Sequence, residues 1–284
     1  MEKKYILTDE TKTLSNGIVL HRIKAIRSFS LVKEGDLGGW IEKEDNLSHE
    51  GDCWACDNAI VYNNAKVYGN AYILLNAKVY GDVKVYDNAN IGGNAEISGN
   101  ACVYGNADVY DNAIVCGNAE VSDNACVFGN AEINGNARVY GYAQVYGDAE
   151  VYENAKVYGN AEVFENALIF GDVEVYGQPE ISDNAGVFNN VKLYKNLRIF
   201  GDAIVCGNAI IQSDNDYIVF KNWWSSGRYF TWTRSNNMWR VGCFYGTGEE
   251  LIKKAYEDSE IRGREYERIV KYVESILKEE EKYV

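Results

Sequence analysis

Residues 97–115, Ile97-Ser98-Gly99-Asn100-Ala101-Cys102-Val103-Tyr104-Gly105-Asn106-Ala107-Asp108-Val109-Tyr110-Asp111-Asn112-Ala113-Ile114-Val115, run three times through one six-residue frame, Val-Tyr-Gly-Asn-Ala-x. Outward from there the frame holds without a break. Every sixth residue from Val61 to Ile211, 26 in all, is Val, Ile or Leu. The residue two places before each is Ala in 21 of the 26 cases, the exceptions being Val83, Val173, Pro179, Val191 and Leu197. A helix needs an apolar period near 3.6, and a hairpin sheet needs turn-bounded apolar runs of about four to eight, so a strict period of six requires another geometry. The x-Val-Tyr triplet reads as a very short strand with its aliphatic residue inward and both neighbours outward. The Gly-Asn, Asp-Asn or Gly-Asp pair that follows tolerates left-handed backbone and turns a corner. Alanine fills the inside of that corner, where a larger side chain would collide with the walls. Residues 51–212 therefore form a parallel β-helix.

The frame, as in Val103-Tyr104-Gly105-Asn106-Ala107, resembles the hexapeptide-repeat family, and the resemblance covers over half the chain. It implies a mainly β fold, a left-handed parallel β-helix with three hexapeptides to a triangular coil. The expectation is about 8–9 coils and, at roughly 4.8 Å per layer, a rod about 40 Å long. Gly38-Gly39-Trp40 followed by Gly51-Asp52-Cys53-Trp54 is also similar to the lead-in segment of bacterial and phage repeat proteins named as transferases on fold alone.

The flanks divide the chain into three expected units. Residues 1–50 lie out of register and form an N-terminal β cap, a hairpin of Lys4–Asp9 and Gly17–Phe29 around Ser15-Asn16-Gly17. Residues 51–212 are the rod, and 213–284 are a small C-terminal α+β domain. In the latter, strands are expected near 217–221, 228–234 and 238–245. Thr247 with Glu250 forms a capping signature for a helix running to about Ser259. A second helix from about Arg264 places Tyr266, Ile269, Val270, Val273, Ile276 and Leu277 on one face.

Composition narrows the class. The chain has 284 residues, 46% hydrophobic, with 42 acidic against 28 basic residues and a net charge of −14, which excludes disorder. No apolar run approaches the length of a membrane helix, and Met1–Lys12 lacks the apolar core of a secretion signal. Seven scattered cysteines fit a reducing compartment, so a cytoplasmic protein is expected. Cys53 and Cys56 form a C-x-x-C without a second ligand pair, and neither a metal site nor a cofactor is expected.

Enzymes that the frame resembles use a histidine base and loops inserted between coils to hold an acyl carrier. This chain has only His21, in the hairpin, and His49, before the array, and no loop interrupts the hexads. No catalytic residue is nominated. The repeated carboxylates occupy equivalent outward positions, without the unequal environments an acid-base pair needs.

Two surface features point to a partner instead. On one face, sorted by 18 residues, the position after the aliphatic residue reads Tyr68, Tyr86, Tyr104, Ser122, Tyr140, Tyr158, Tyr176, Tyr194. This is either a stabilising stack or an amphipathic strip for a partner or a second subunit. The rod also carries net charge −12, and Asp87 to Asp183 holds 16 acids against Arg138 and Lys156. Its outward acids include Asp87, Glu96, Asp108, Glu120, Glu132, Glu150, Glu162 and Glu174. The linear charge density, about one per 1.9 Å, approaches the one per roughly 1.7 Å of duplex DNA. The alternative is a solvated surface that keeps a repetitive β protein soluble. Direct nucleic-acid binding by the rod is disfavoured by its sign.

A second face gathers Leu168, Phe170, Phe188, Ile204 and Cys206 toward its end, a patch expected to be covered by the C-terminal unit folding back or by another subunit. Residues 217–248 concentrate Trp223, Trp224, Trp232 and Trp239 with Lys221, Arg228, Arg234 and Arg240 and no acid. The tryptophans are candidate stacking platforms and the arginines candidate anchors. The other reading makes the rings core, with the arginines neutralising Glu249, Glu250 or the Glu279–Glu281 run. The resulting expectation is a non-catalytic interaction protein, resembling acidic counter-defence proteins of phages, that occupies a basic nucleic-acid groove of a protein partner. A hexapeptide-type acyltransferase and a purely structural rod are the alternatives.

Overall fold

In the computed structural model, which describes residues 2–280, the hexads close into a three-walled parallel β-helix. One coil takes 18 residues, so Val103 lies beside Val121 and Asn90 beside Asp108. The first wall runs from Ile60–Val61 to Ile204–Val205, the second from Lys66–Val67 to Ile210–Ile211, and the third from Trp54–Ala55 to Arg198–Ile199. The second and third walls contain nine strands each, in line with the expected coil number.

The inward residues explain why the frame is so strict. All 26 aliphatic positions are no more than 1% exposed, and the alanines two places earlier are 0% exposed. Burying each Val or Ile contributes about 1.5–3 kcal/mol. The same position recurs directly above and below, so a polar or oversized residue in one coil would disturb three.

Corner asparagines do more than turn the chain. The Nδ2 of Asn76 donates to Asn94 Oδ1 at 3.2 Å, Asn94 to Asn112 at 3.1 Å, and Asn112 to Asn130 at 3.0 Å. An amide has both donor and acceptor, so one residue type can link the coil above to the coil below. The glycine before it is required where corners stack: at Gly99 (φ 71°) an added Cβ would stand 2.7 Å from the Gly117 carbonyl oxygen.

The array begins before residue 51. At the N-terminus β1 (Tyr5–Thr13) pairs antiparallel with β2 (Val19–Ala25), and β2 with β3 (Leu37–Ile41). β3 then joins the first wall in parallel, with Ile41 opposite Val61, while Leu47 bridges to Val67 and Ala55 lies beside Ile73. Residues 37–50 thus lie out of phase with the count by sixes yet supply part of a first coil, not a cap alone. These offsets are 20, 20 and 18 residues, so two extra residues between Leu47 and Ala55 conceal a first coil from a count by sixes. Lys4 holds the inserted segment. Its buried Nζ donates to the carbonyls of Gly51 (3.0 Å) and Cys53 (2.8 Å), and burial lowers its pKa.

The C-terminal sheet has four antiparallel strands, β4 (Tyr217–Asn222), β5 (Arg228–Thr233), β6 (Met238–Val241) and β7 (Phe244–Gly246). Gly242, at φ 57°, splits the expected 238–245 strand into the last two. Thr247 caps α1 (Gly248–Asp258) through the Glu250 amide, as its spacing predicts. α2 (Glu260–Glu280) starts a turn earlier than expected because Ser259 Oγ accepts the Arg262 amide hydrogen.

This unit closes the end of the rod. Thr231 Oγ1 accepts the Ile204 amide at 2.9 Å, Ser235 Oγ accepts the Ile210 amide at 2.7 Å, and Tyr217 donates its hydroxyl to the Arg198 carbonyl at 2.7 Å. Side chains thus satisfy backbone groups that the last coil would otherwise leave as an open sheet edge.

Candidate functional site

The tyrosine face lies on the second wall as two stacks. Tyr68, Tyr86 and Tyr104 stack with centroids 4.9 Å apart and planes within 2°, and Tyr140, Tyr158 and Tyr176 stack at 4.7 and 4.8 Å. Buried Ser122 separates them, and Tyr194 stands on the rung beyond Tyr176. Burial and the neighbouring rings raise the Tyr86 pKa to about 12. The other walls stack too: Phe128-Tyr146-Phe164 on the third, Tyr62-Tyr80 and Tyr152-Phe170-Phe188 on the first. Sorting only one face for tyrosine missed these ladders, although the same count by 18 contains them.

The first-wall ladder has a gap. Ser98, Cys116 and Asn134 stand between Tyr80 and Tyr152, and the missing rings leave a notch of about 400 Å³ lined by Glu132, Asn134, Gly135, Glu150, Tyr152 and Glu153. Glu132 and Glu150 occupy neighbouring rungs in register. Among the described residues, neither they nor Glu153 has a Lys or Arg partner, whereas Glu96 at the other end meets Lys78 at 3.8 Å and the Tyr80 hydroxyl.

The eight sequence-selected acids do not share a face. Glu96, Glu132 and Glu150 begin first-wall strands, Asp108 and Glu162 third-wall strands, and Glu120 and Glu174 second-wall strands. Asp87 sits at a corner and accepts the Gly105 amide at 3.3 Å. On the second wall the acids are compensated: Glu120 meets Arg138 at 3.5 Å, and Glu174 meets Lys156 at 3.2 Å and Lys192 at 3.6 Å. Five of the rod's eight bases, Lys66, Lys84, Arg138, Lys156 and Lys192, begin second-wall strands. The margin where the third wall turns into the first carries Asp57, Asp111, Asp148, Glu165, Asp183 and Asp202 at its corners and no Lys or Arg there. The rod thus has one wall where the acids are paired and one acidic margin, and the notch runs across the first wall from Glu132 and Glu150 to the next corner, where Gly135 and Glu153 stand.

The C-terminal candidates separate. Trp232 (1% exposed) and Trp239 (2%) are core and offer no free face, because so small a sheet has few other residues with which to bury its contact to the helices. Arg234 pairs with Glu280 at 2.8 Å, as one sequence reading expects; Glu281 lies outside the described residues. The Arg240 guanidinium lies over the Phe188 ring of the rod at 5.4 Å. Together with Thr231, it covers the far part of the apolar face, where Cys206 is buried, whereas Leu168 and Phe170 stay half-exposed. Exposed Trp223 and Trp224 pack edge to face at the β4–β5 turn, beside exposed Arg228.

His49 packs on Tyr5 with ring centroids 4.3 Å apart. Its Nδ1 accepts the Lys4 amide at 3.3 Å, so the neutral ring carries its proton on Nε2, 4.0 Å from Glu44. Burial lowers its pKa, and the arrangement leaves it no exposed basic nitrogen. His21 lies half-buried on β2 with Nδ1 3.4 Å from the Thr8 carbonyl. Cys53 is buried under Lys4 and Cys56 is half-buried; all seven cysteines are unpaired. Among the described residues no His, Cys, Asp and Glu cluster has the makings of a metal centre, and no helix is long and apolar enough to cross a membrane.

Fold and surface together define a rigid, triangular β-solenoid with aromatic ladders and an asymmetric charge. No protein-family profile matches the chain. Over 89 residues it is 34% identical to an Escherichia coli K12 protein named uncharacterized acetyltransferase YdcK, a match covering 28% of this chain and 27% of that one. The chain therefore spans about a quarter of the length of this relative. The solenoid and the similarity agree with the hexapeptide-repeat resemblance read from the frame.

Proposed function

We propose that the chain is a non-catalytic interaction protein that presents its acidic margin and notch to a basic groove on a protein partner, in the cytoplasm. The observation that carries this reading is the charge partition: carboxylates left without counter-ions along one margin, on the edge opposite a wall where the acids are paired. A fixed backbone holds the carboxylates at strand spacing, so little ordering entropy is lost when a partner docks. Facing a groove that ordinarily holds nucleic acid, such a surface would act as an inhibitor by occupying it. Glu132 and Glu150 at the notch would take the partner's arginine or lysine side chains, with Tyr152 offering a ring face. The test is competition: duplex DNA should displace the rod from a partner whose groove it fills, and failure to compete would rule out groove occupancy.

A second reading, acyl transfer, is favoured by the name of the E. coli relative. It predicts acetyl-CoA turnover by the purified chain, lost on replacing His21 or His49; turnover that survives both replacements would place the base elsewhere.

A further inference from the structure

The C-terminal unit contains a cleft of about 660 Å³ between the β6–β7 turn, the start of β5 and α1. Its floor is apolar and buried, formed by Val241, Leu251, Ala255 and Tyr266. Two cations, Arg228 and Lys254, stand exposed on its rim. Among the described residues neither has a carboxylate partner, whereas Arg262, Arg264, Arg268 and Lys271 each meet an acid three or four residues away in sequence. The one acid of the lining, Asp258, is engaged by Arg262 at 3.2 Å. Gly242, at φ 57°, turns the chain next to the Arg228 side chain.

A concave site of this size, apolar below and with a few convergent polar groups at its mouth, has the form of a small-molecule pocket. We propose that it binds a small organic anion, the apolar body lying over Tyr266, Leu251 and Ala255 and the carboxylate or phosphate held between Arg228 and Lys254. The charge explains the head and the floor explains the body; inorganic phosphate alone would gain nothing from the floor. This inference is independent of the acidic margin, which lies on the rod.

The test is calorimetric titration of the full chain with octanoate, octyl phosphate and octanol. Saturable binding of either anion, at least tenfold tighter than octanol, is expected, and the tighter of the two identifies the head group. Arg228→Gln and Lys254→Gln should each weaken the anion about tenfold without lowering the melting temperature, since both side chains are exposed. Asp258→Asn should tighten it by removing a like charge from the rim. Octanol binding as tightly as the anions, charge variants without effect, or no saturable binding of either anion would each overturn the proposal.

Discussion

The second wall and the margin between the third and first walls are built from the same hexads, yet they treat charge in opposite ways. On the second wall, five bases stand with two acids, Glu120 and Glu174, both of them paired, alongside the tyrosine stacks. On the margin, Asp148, Glu165, Asp183 and Asp202 stand on successive coils, with Asp111 and Asp57 farther back, and no Lys or Arg shares those corners. The inward positions cannot differ between the two, because the core dictates them; only outward residues are free to vary. The difference therefore reflects what each face meets: the second wall meets its own side chains, whereas the margin is left for solvent or a partner.

The largest effect that breaks this comparison should come from the notch. Reversing Glu132, Glu150 and Glu153 to lysine should weaken partner binding by about 2–4 kcal/mol with little change in melting temperature. Glu120→Lys and Glu174→Lys change the charge by the same two units per site on the compensated wall and should leave affinity nearly unchanged. Equal losses in both sets, measured by calorimetry, would show that only total charge matters.

Next in size is the ladder. Tyr158 stacks on Tyr140 and Tyr176, so Tyr158→Ala should lower stability by about 1–3 kcal/mol in denaturant unfolding and leave partner binding intact. Binding abolished by this substitution would make the ladder the interaction surface. Smaller still is the corner: Asn112→Ala interrupts two amide links, from Asn94 and to Asn130, for a cost of about 1 kcal/mol.

Alkaline titration sharpens the contrast from the tyrosine side. Tyr80, Tyr86 and Tyr110 have their pKa values raised to about 12, chiefly by burial. Between the unfolded value of 10 and about 12 the unfolded chain has released protons that the folded chain retains. Their contribution to stability is therefore full below pH 10 and lost as pH rises toward 12. Melting temperature should fall over that window as phenolate absorbance rises on unfolding; stability unchanged to pH 12 would contradict the assignment.

Most of the fold was legible because the core repeats: inward Val and corner Ala announce themselves at every sixth residue, and the Thr247–Glu250 spacing announces α1. The first coil was hidden because two inserted residues near Gly51 shift Ile41 and Leu47 out of phase, and the contact that stabilises the shift, Lys4 to Gly51 and Cys53, spans nearly fifty residues of sequence. The site was less legible for a different reason. Net charge sums over all three walls, so the pairing of Glu174 with Lys156 and Lys192 and the isolation of Glu150 look alike until position along the coil is known. Trp232 and Trp239 could not be told from Trp223 and Trp224 by composition, since all four share one segment and only the strand register buries two of them.

The most direct test of the central claim is the salt dependence of binding to an arginine-rich peptide, measured in parallel for the native chain, the notch triple variant and the second-wall double variant. Screening shortens the reach of charge from about 10 Å at 0.1 M to about 3 Å at 1 M. Tight binding by the native chain and the second-wall variant at low salt, lost in both at 1 M and lost at every salt concentration in the notch variant, is the predicted result. Binding that survives 1 M salt, or that falls equally in the two variants, would contradict an acidic margin with a defined docking notch.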